Sequence, residues 1–195
     1  MPAPDLQENA PPLDLAQAGA ATPACERKLI HTRIIRIDGY ERSDGLWDIE
    51  ANINDTKQVD HDVFHSIRPA GSAVHDMNLH MTINSQRMIV EAQAVSNAVP
   101  YPGTCDKIAP AYAALKGLQI GPGFNARASE LFRGINGCTH ISEMIGRMAS
   151  VAMQTMSGRT VQDPTRKPFQ LDGCHALATN GELVAQYHPR WYVKP

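Results

Sequence analysis

The stretch GLWDIEANIND, residues 45–55, sets Trp47, Ile49, Ala51 and Ile53 against Leu46, Asp48, Glu50 and Asn52. Side chains on a strand alternate between two faces. The stretch therefore predicts a strand with Trp47, Ile49, Ala51 and Ile53 turned to a core. The turn RSDG precedes it, and before that the β-branched, alternating LIHTRIIRID, from Leu29, predicts a strand partner. Downstream, KQVDHDVFHSI is a weaker strand. AVHDMNLHMTIN and RMIVEAQAVSN are two more, joined by NSQR as a hairpin turn. The run predicts five strands, mostly antiparallel.

After Pro102 the texture becomes helical. CDKIAPAYAALKGL reads as a short helix ended by Gly117, and GFNARASELFRG as a second between Gly123 and Gly134. THISEMIGRMASVAMQTMSG is the third and longest. Its Ile141, Met144, Ile145, Met148, Val151, Ala152 and Met156 form an apolar stripe at helical spacing. Thr139 can cap its start, and Gly158 ends it. The last segment, FQLDGCHALATNGELVAQYHPRWY, reads as a hairpin turning at TNGE. The predicted class is α+β: a mostly antiparallel sheet followed by three helices and a C-terminal β-hairpin. Residues 1–26, rich in Pro and Ala, are expected to be a flexible arm, and 27–195 one domain.

The chain is 43% hydrophobic and 19% charged, ordinary for a globular protein, with a net charge of −2 at pH 7. That balance argues against a general nucleic-acid binder. No apolar run approaches the roughly 20 residues that span a bilayer. No basic and apolar leader is legible at the start, so a cytoplasmic location is the default. A small-molecule substrate is the expected partner, and a homo-oligomer is left open.

Four cysteines stand at 25, 105, 138 and 174. Cys138 lies in GINGCTHISEM, residues 134–144, after a glycine turn and at the start of the longest helix. Cys105 also opens a helix, and Cys174 precedes His175. Such junctions hold a side chain on a fixed backbone, and helix N-termini favour the thiolate that metals need. Cys105, Cys138 and Cys174, with His140, His175 or Asp106 beside them, form a candidate site for zinc or iron. The competing reading is that these cysteines are small apolar filler, since no C-x-x-C knuckle is present. His75 and Asp76, near the start of one strand, are the candidate base. A regular strand turns them to opposite faces, with His80 on the side of Asp76, and a solvent-facing polar edge is the alternative. A Cys138 nucleophile is a further reading. His140, two residues on in a helix, points elsewhere, so His75 or His175 would have to approach it.

The segments RSDGLWDIEANINDTK, HDMNLHMTIN, LKGLQIGPGF and GINGCTHISEM, in this order, resemble the bacterial family catalogued as domain of unknown function 2889, from about His31 to Trp191. That resemblance implies no particular activity. A fainter likeness joins YPGTCD, INGCTHIS and DGCHAL to the three cysteines of NifU/IscU-type iron–sulfur scaffold proteins. It implies convergence of Cys105, Cys138 and Cys174 on a metal or an iron–sulfur cluster. The functional expectation is a metal-dependent hydrolase or lyase acting on a small organic acid or acyl compound. An iron–sulfur or sulfur-transfer scaffold and a non-enzymatic domain with a structural metal site are the alternatives.

Overall fold

The computed structural model describes residues 25–63, 66–159 and 165–195. Apart from Cys25 and Glu26, the expected arm lies outside the described residues, as does His65 of the weak strand. Two compact units are present, the first ending at Met156 and the second spanning Ser157–Pro195.

In the first unit, β1 (His31–Glu41), β2 (Trp47–Lys57), β5 (Ala73–Ile83) and β6 (Ile89–Ala98) make one antiparallel sheet in the order β1-β2-β5-β6. The weak strand leaves this sheet. Its residues form β3 (His61–Val63) and β4 (Ser66–Arg68), a small hairpin of their own. The alternation of β2 holds: Trp47, Ile49, Ala51 and Ile53 are all buried. Met77, Leu79, Met81 and Ile83 of β5 continue the same face. The β5–β6 turn is held by Asn84, whose Oδ1 accepts the Gln86 and Met88 N–H groups.

The apolar face is covered by α2 (Thr139–Thr155), which packs on β1, β2 and β5 through Ile141, Met144, Ile145 and Met148. Gly39 on β1 lets the far end of α2 close down, since a Cβ there would collide with Thr155. The first expected helix is a 3₁₀ helix, Cys105–Leu115. Pro110 in its middle lacks the N–H that an α-helical ladder would use. The second is α1 (Phe124–Leu131).

The second unit corrects one expectation. FQLDGCHALATNGELVAQYHPRWY forms no β-hairpin; it holds 3₁₀ turns at His175–Leu177 and Pro189–Trp191 and α3 (Glu182–Tyr187) between them. Asp172 explains the change. Its carboxylate accepts the Thr179 N–H at 2.8 Å and its N–H donates to the Leu177 carbonyl at 2.9 Å, closing the segment on itself. Gly181 then caps α3, and Glu182 suits the positive end of that helix.

Candidate functional site

The core-facing stripes of three strands all turn polar at the same end of the sheet. Arg33 of β1, Asp55 of β2 and His75 of β5 lie side by side in register, with His31 one step beyond Arg33 on the same face. A register shift after Asp55 ends the regular pairing there. Asp55 is in phase with Trp47, Ile49, Ala51 and Ile53, and the fold buries it as fully as they are, at 0% exposure.

A carboxylate buried to that depth must be paired. The Arg33 Nε donates to Asp55 Oδ1 at 2.7 Å and its Nη2 to Oδ2 at 2.8 Å. His31 Nε2 lies 3.0 Å from Oδ1, and His75 Nδ1 3.0 Å from Oδ2. The remaining Arg33 nitrogen, Nη1, reaches Glu143 of α2 at 2.6 Å. The first turn of α2 closes the site from above. There His140 stacks on His75, with ring centroids 3.6 Å apart and planes at 28°. His140 Nε2 points at Asp55 Oδ2 from 3.9 Å, beyond a hydrogen bond.

The charges follow from these contacts. Burial pushes the Asp55 carboxyl up, but the Arg33 hydrogen bonds and charge outweigh it and hold the group below its usual range. Burial pulls His75 down, and the neighbouring His140 adds to that. Burial also lowers His140, helped by the Arg33 charge. The site at neutral pH is therefore an ionised carboxylate beside two imidazoles biased to the neutral form. Metals bind those forms.

Among the described residues, Asp55, His75 and His140 form a group whose ligand atoms all lie within 4.8 Å of one another. Zinc holds nitrogen and oxygen at about 2.0–2.2 Å in a tetrahedron, which sets ligand atoms roughly 3.3–3.6 Å apart. The 3.0 Å and 3.9 Å separations from Asp55 Oδ2 to the two imidazoles bracket that spacing. A cleft of about 460 Å³ runs between α1 and α2, with Phe132 and Ile145 in its walls and Arg133, Ser142 and Glu143 on its lining; Glu143, bonded to Arg33, joins it to the site, and none of Asp55, His75 and His140 lines it.

The residues singled out from the sequence separate. His75 and His140 meet. Asp76 takes the opposite face of β5, where it accepts from Asn52 at 2.7 Å and Asn97 at 3.3 Å. His80 also sits on that face, 3.3 Å from Asp48. Cys105 opens the 3₁₀ helix and packs against the core, and Asp106 beside it is exposed. Cys174 and His175 belong to the second unit, and both are exposed. Cys138 stands at the edge of the site. It is the N-cap of α2 in an extended conformation, φ −101° and ψ 129°, so Thr139 is the first helical residue and not the cap. That geometry corrects the expectation that His140 points away from Cys138. Because Cys138 is outside the helix, its Sγ lies 3.8 Å from His140 Nδ1.

Sequence reasoning missed Asp55 and Arg33. The signal was present: Asp55 extends a stripe of four buried apolar positions by one more step in phase. A charge on such a stripe needs a buried partner.

The fold and site define an α+β protein with a histidine–carboxylate cluster between an antiparallel sheet and a helix N-terminus. The chain belongs to the protein family of unknown function DUF2889, whose model matches residues 31–154. That match spans the four-stranded sheet and ends within α2, so Asp55, His75 and His140 all fall inside it. No curated protein and no solved structure matches the chain, and the likeness to iron–sulfur scaffold proteins is not shown. Among the described residues, no helix is long and apolar enough to cross a membrane.

Proposed function

We propose that this protein is a metal-dependent enzyme of hydrolase or lyase type, holding zinc or iron through Asp55, His75 and His140. The observation that carries the reading is the grouping of ligand atoms from Asp55, His75 and His140 within 4.8 Å of one another, with His75 Nδ1 3.0 Å and His140 Nε2 3.9 Å from Asp55 Oδ2. His140 Nε2 faces the carboxylate at a distance too long for a hydrogen bond and suited to a shared ion. Two imidazoles and one carboxylate suit zinc and non-haem iron alike, and leave coordination positions open. When bound, such an ion polarises a carbonyl or lowers the pKa of a water to about 7. Arg33 and His31 act behind the ligands: His31 and the Arg33 Nε hold Oδ1 of Asp55, and the Arg33 Nη2 holds Oδ2 itself. The cleft beside α2 has room for a small organic acid or acyl compound, and Arg133 on its lining suits a carboxylate.

The test is a chelator-competition titration of metal-free protein with zinc(II), and anaerobically with iron(II), for the natural chain and the His75→Ala and His140→Ala variants. One equivalent bound tightly, and lost in both variants, is the expected result. Binding that survives both substitutions would reject these ligands.

A second reading is favoured by one observation: Asp55 already accepts four hydrogen bonds without an ion. In that reading His75, held by Asp55 through Nδ1, is a metal-free general base whose Nε2 takes the proton. Full activity in chelator would select it over the metal reading.

A further inference from the structure

The Cys138 sulfur is placed to hold His140. We propose that Cys138 is the outer partner of the site, accepting the Nδ1–H of His140 and so fixing the tautomer that offers Nε2 to the metal. This rests on the reading that Asp55, His75 and His140 bind a metal ion. A histidine ligand nearly always donates its second ring N–H to an acceptor, which sets both tautomer and ring orientation. His140 has two groups near Nδ1: Cys138 Sγ at 3.8 Å and Thr139 Oγ1 at 3.5 Å. Sulfur is the larger atom, and 3.8 Å is within the reach of an N–H···S contact. For a hydroxyl, 3.5 Å is already the outer limit.

The setting of the two groups differs more than their distances. Thr139 is exposed on the first turn of α2 and free to rotate toward water. Cys138 is clamped. Tyr112, buried at 0% exposure, accepts the Cys138 N–H at 2.8 Å, and its oxygen lies 2.9 Å from the Cys138 carbonyl oxygen. Ser142 Oγ, 2.7 Å from the same phenol, ties that clamp to α2. Met77 Sδ lies 3.9 Å from Cys138 Sγ. Behind Cys138, Gly137 passes so close to Phe132 that a Cβ would stand 2.5 Å from the Phe132 carbonyl oxygen. The turn cannot shift without moving α1. The sulfur is thus fixed by the core, and through it the imidazole. Cys138 acts as a positioning residue, and Tyr112 supports it.

The experiment compares Cys138→Ala, Cys138→Ser and Thr139→Ala with the natural chain by two readouts. The first is zinc(II) affinity by chelator competition. The second is the tautomer of His140 in the metal-free protein, read from the side-chain nitrogen shifts in a long-range ¹⁵N–¹H spectrum. The expected result is that Cys138→Ala weakens zinc binding about 10- to 100-fold, the range for loss of an outer partner. Its His140 should also leave the single Nδ1–H tautomer. Cys138→Ser, whose shorter Cβ–O bond leaves the hydroxyl out of hydrogen-bond reach of Nδ1, should recover little of either, and Thr139→Ala should change neither. Equal affinity and an unchanged tautomer in Cys138→Ala would overturn the proposal, as would a loss confined to Thr139→Ala. If the natural chain binds no zinc, the metal reading fails, and the tautomer comparison still decides whether Cys138 holds His140.

Discussion

The two ends of one sheet face, under one helix, are built on opposite principles. At the Trp47 end the row is apolar, with Trp47 paired to Ile83 and Ile89 beyond it, all buried. At the Asp55 end the row is Arg33, Asp55 and His75. Apolar burial is non-directional and contributes about 25 cal/mol per Å² whatever the detailed geometry. A buried carboxylate contributes only if every lone pair is met, and replacing such a cluster by well-packed apolar residues is often neutral or stabilising. Asp55 occupies the last buried position of its strand, and its presence there is not explained by apolar packing.

The strongest way to break this comparison is Asp55→Ala. It leaves the Arg33 guanidinium and two imidazoles facing a void, and should lower stability by about 3–5 kcal/mol in urea unfolding. It should also abolish zinc binding. Ile49→Ala, on the same face two pairs from the Trp47 end, should cost a comparable amount, about 3 kcal/mol, by leaving a cavity. Its zinc affinity, measured at a temperature where the variant is folded, should match the natural chain. If both substitutions act on stability alone, the difference between the two ends disappears. Gly137→Ala sharpens the local picture. The Phe132 carbonyl must yield to the new methyl, at about 1–3 kcal/mol, and the zinc affinity should fall with it as Cys138 and His140 shift.

The smallest effect is the pH dependence of the metal-free protein. The folded state lowers His75 and His140 from the usual 6.5, so below that pH it binds fewer protons than the unfolded chain. The stability tied to the neutral pair is complete above about pH 6.5 and is lost as pH falls toward the folded values. Asp55, also lowered, gives up its share only below its usual 3.8. Thermal unfolding should therefore show a decline in Tm beginning near pH 6.5. In a His75→Gln, His140→Gln double variant that decline should move to lower pH. An unchanged profile in the double variant would show that these imidazoles are not the groups responsible.

The legibility of the molecule in its sequence follows the same division. The alternation over 45–55 and the stripe from Ile141 to Met156 fix the sheet and its covering helix, because each repeats a local period many times. The weak strand near His61 pairs apart from the main sheet, since three-residue strands carry too little period to choose a partner. The C-terminal segment is ambiguous in sequence because TNGE suits a hairpin turn and a helix start equally, and Asp172 settles the choice through contacts seven residues away. In the site, His75 and His140 are legible as residue types. Asp55 is not, since an aspartate at a strand end resembles a solvated turn until register places it between Arg33 and His75. Helix-start motifs make the cysteines conspicuous, but Cys105 and Cys138 pack against the core, and among the described residues the ligand group is Asp55, His75 and His140.

The most direct test of the proposed metal site is the absorption spectrum of the metal-free protein titrated with cobalt(II). Sulfur ligands give an intense near-ultraviolet charge-transfer band, and nitrogen and oxygen ligands give only the weaker visible bands. The expected result is one equivalent of cobalt with visible bands alone, unchanged in Cys174→Ser and absent in His75→Ala. A strong sulfur-to-cobalt band that survives His75→Ala would contradict the site at Asp55, His75 and His140 and return the metal to the cysteines.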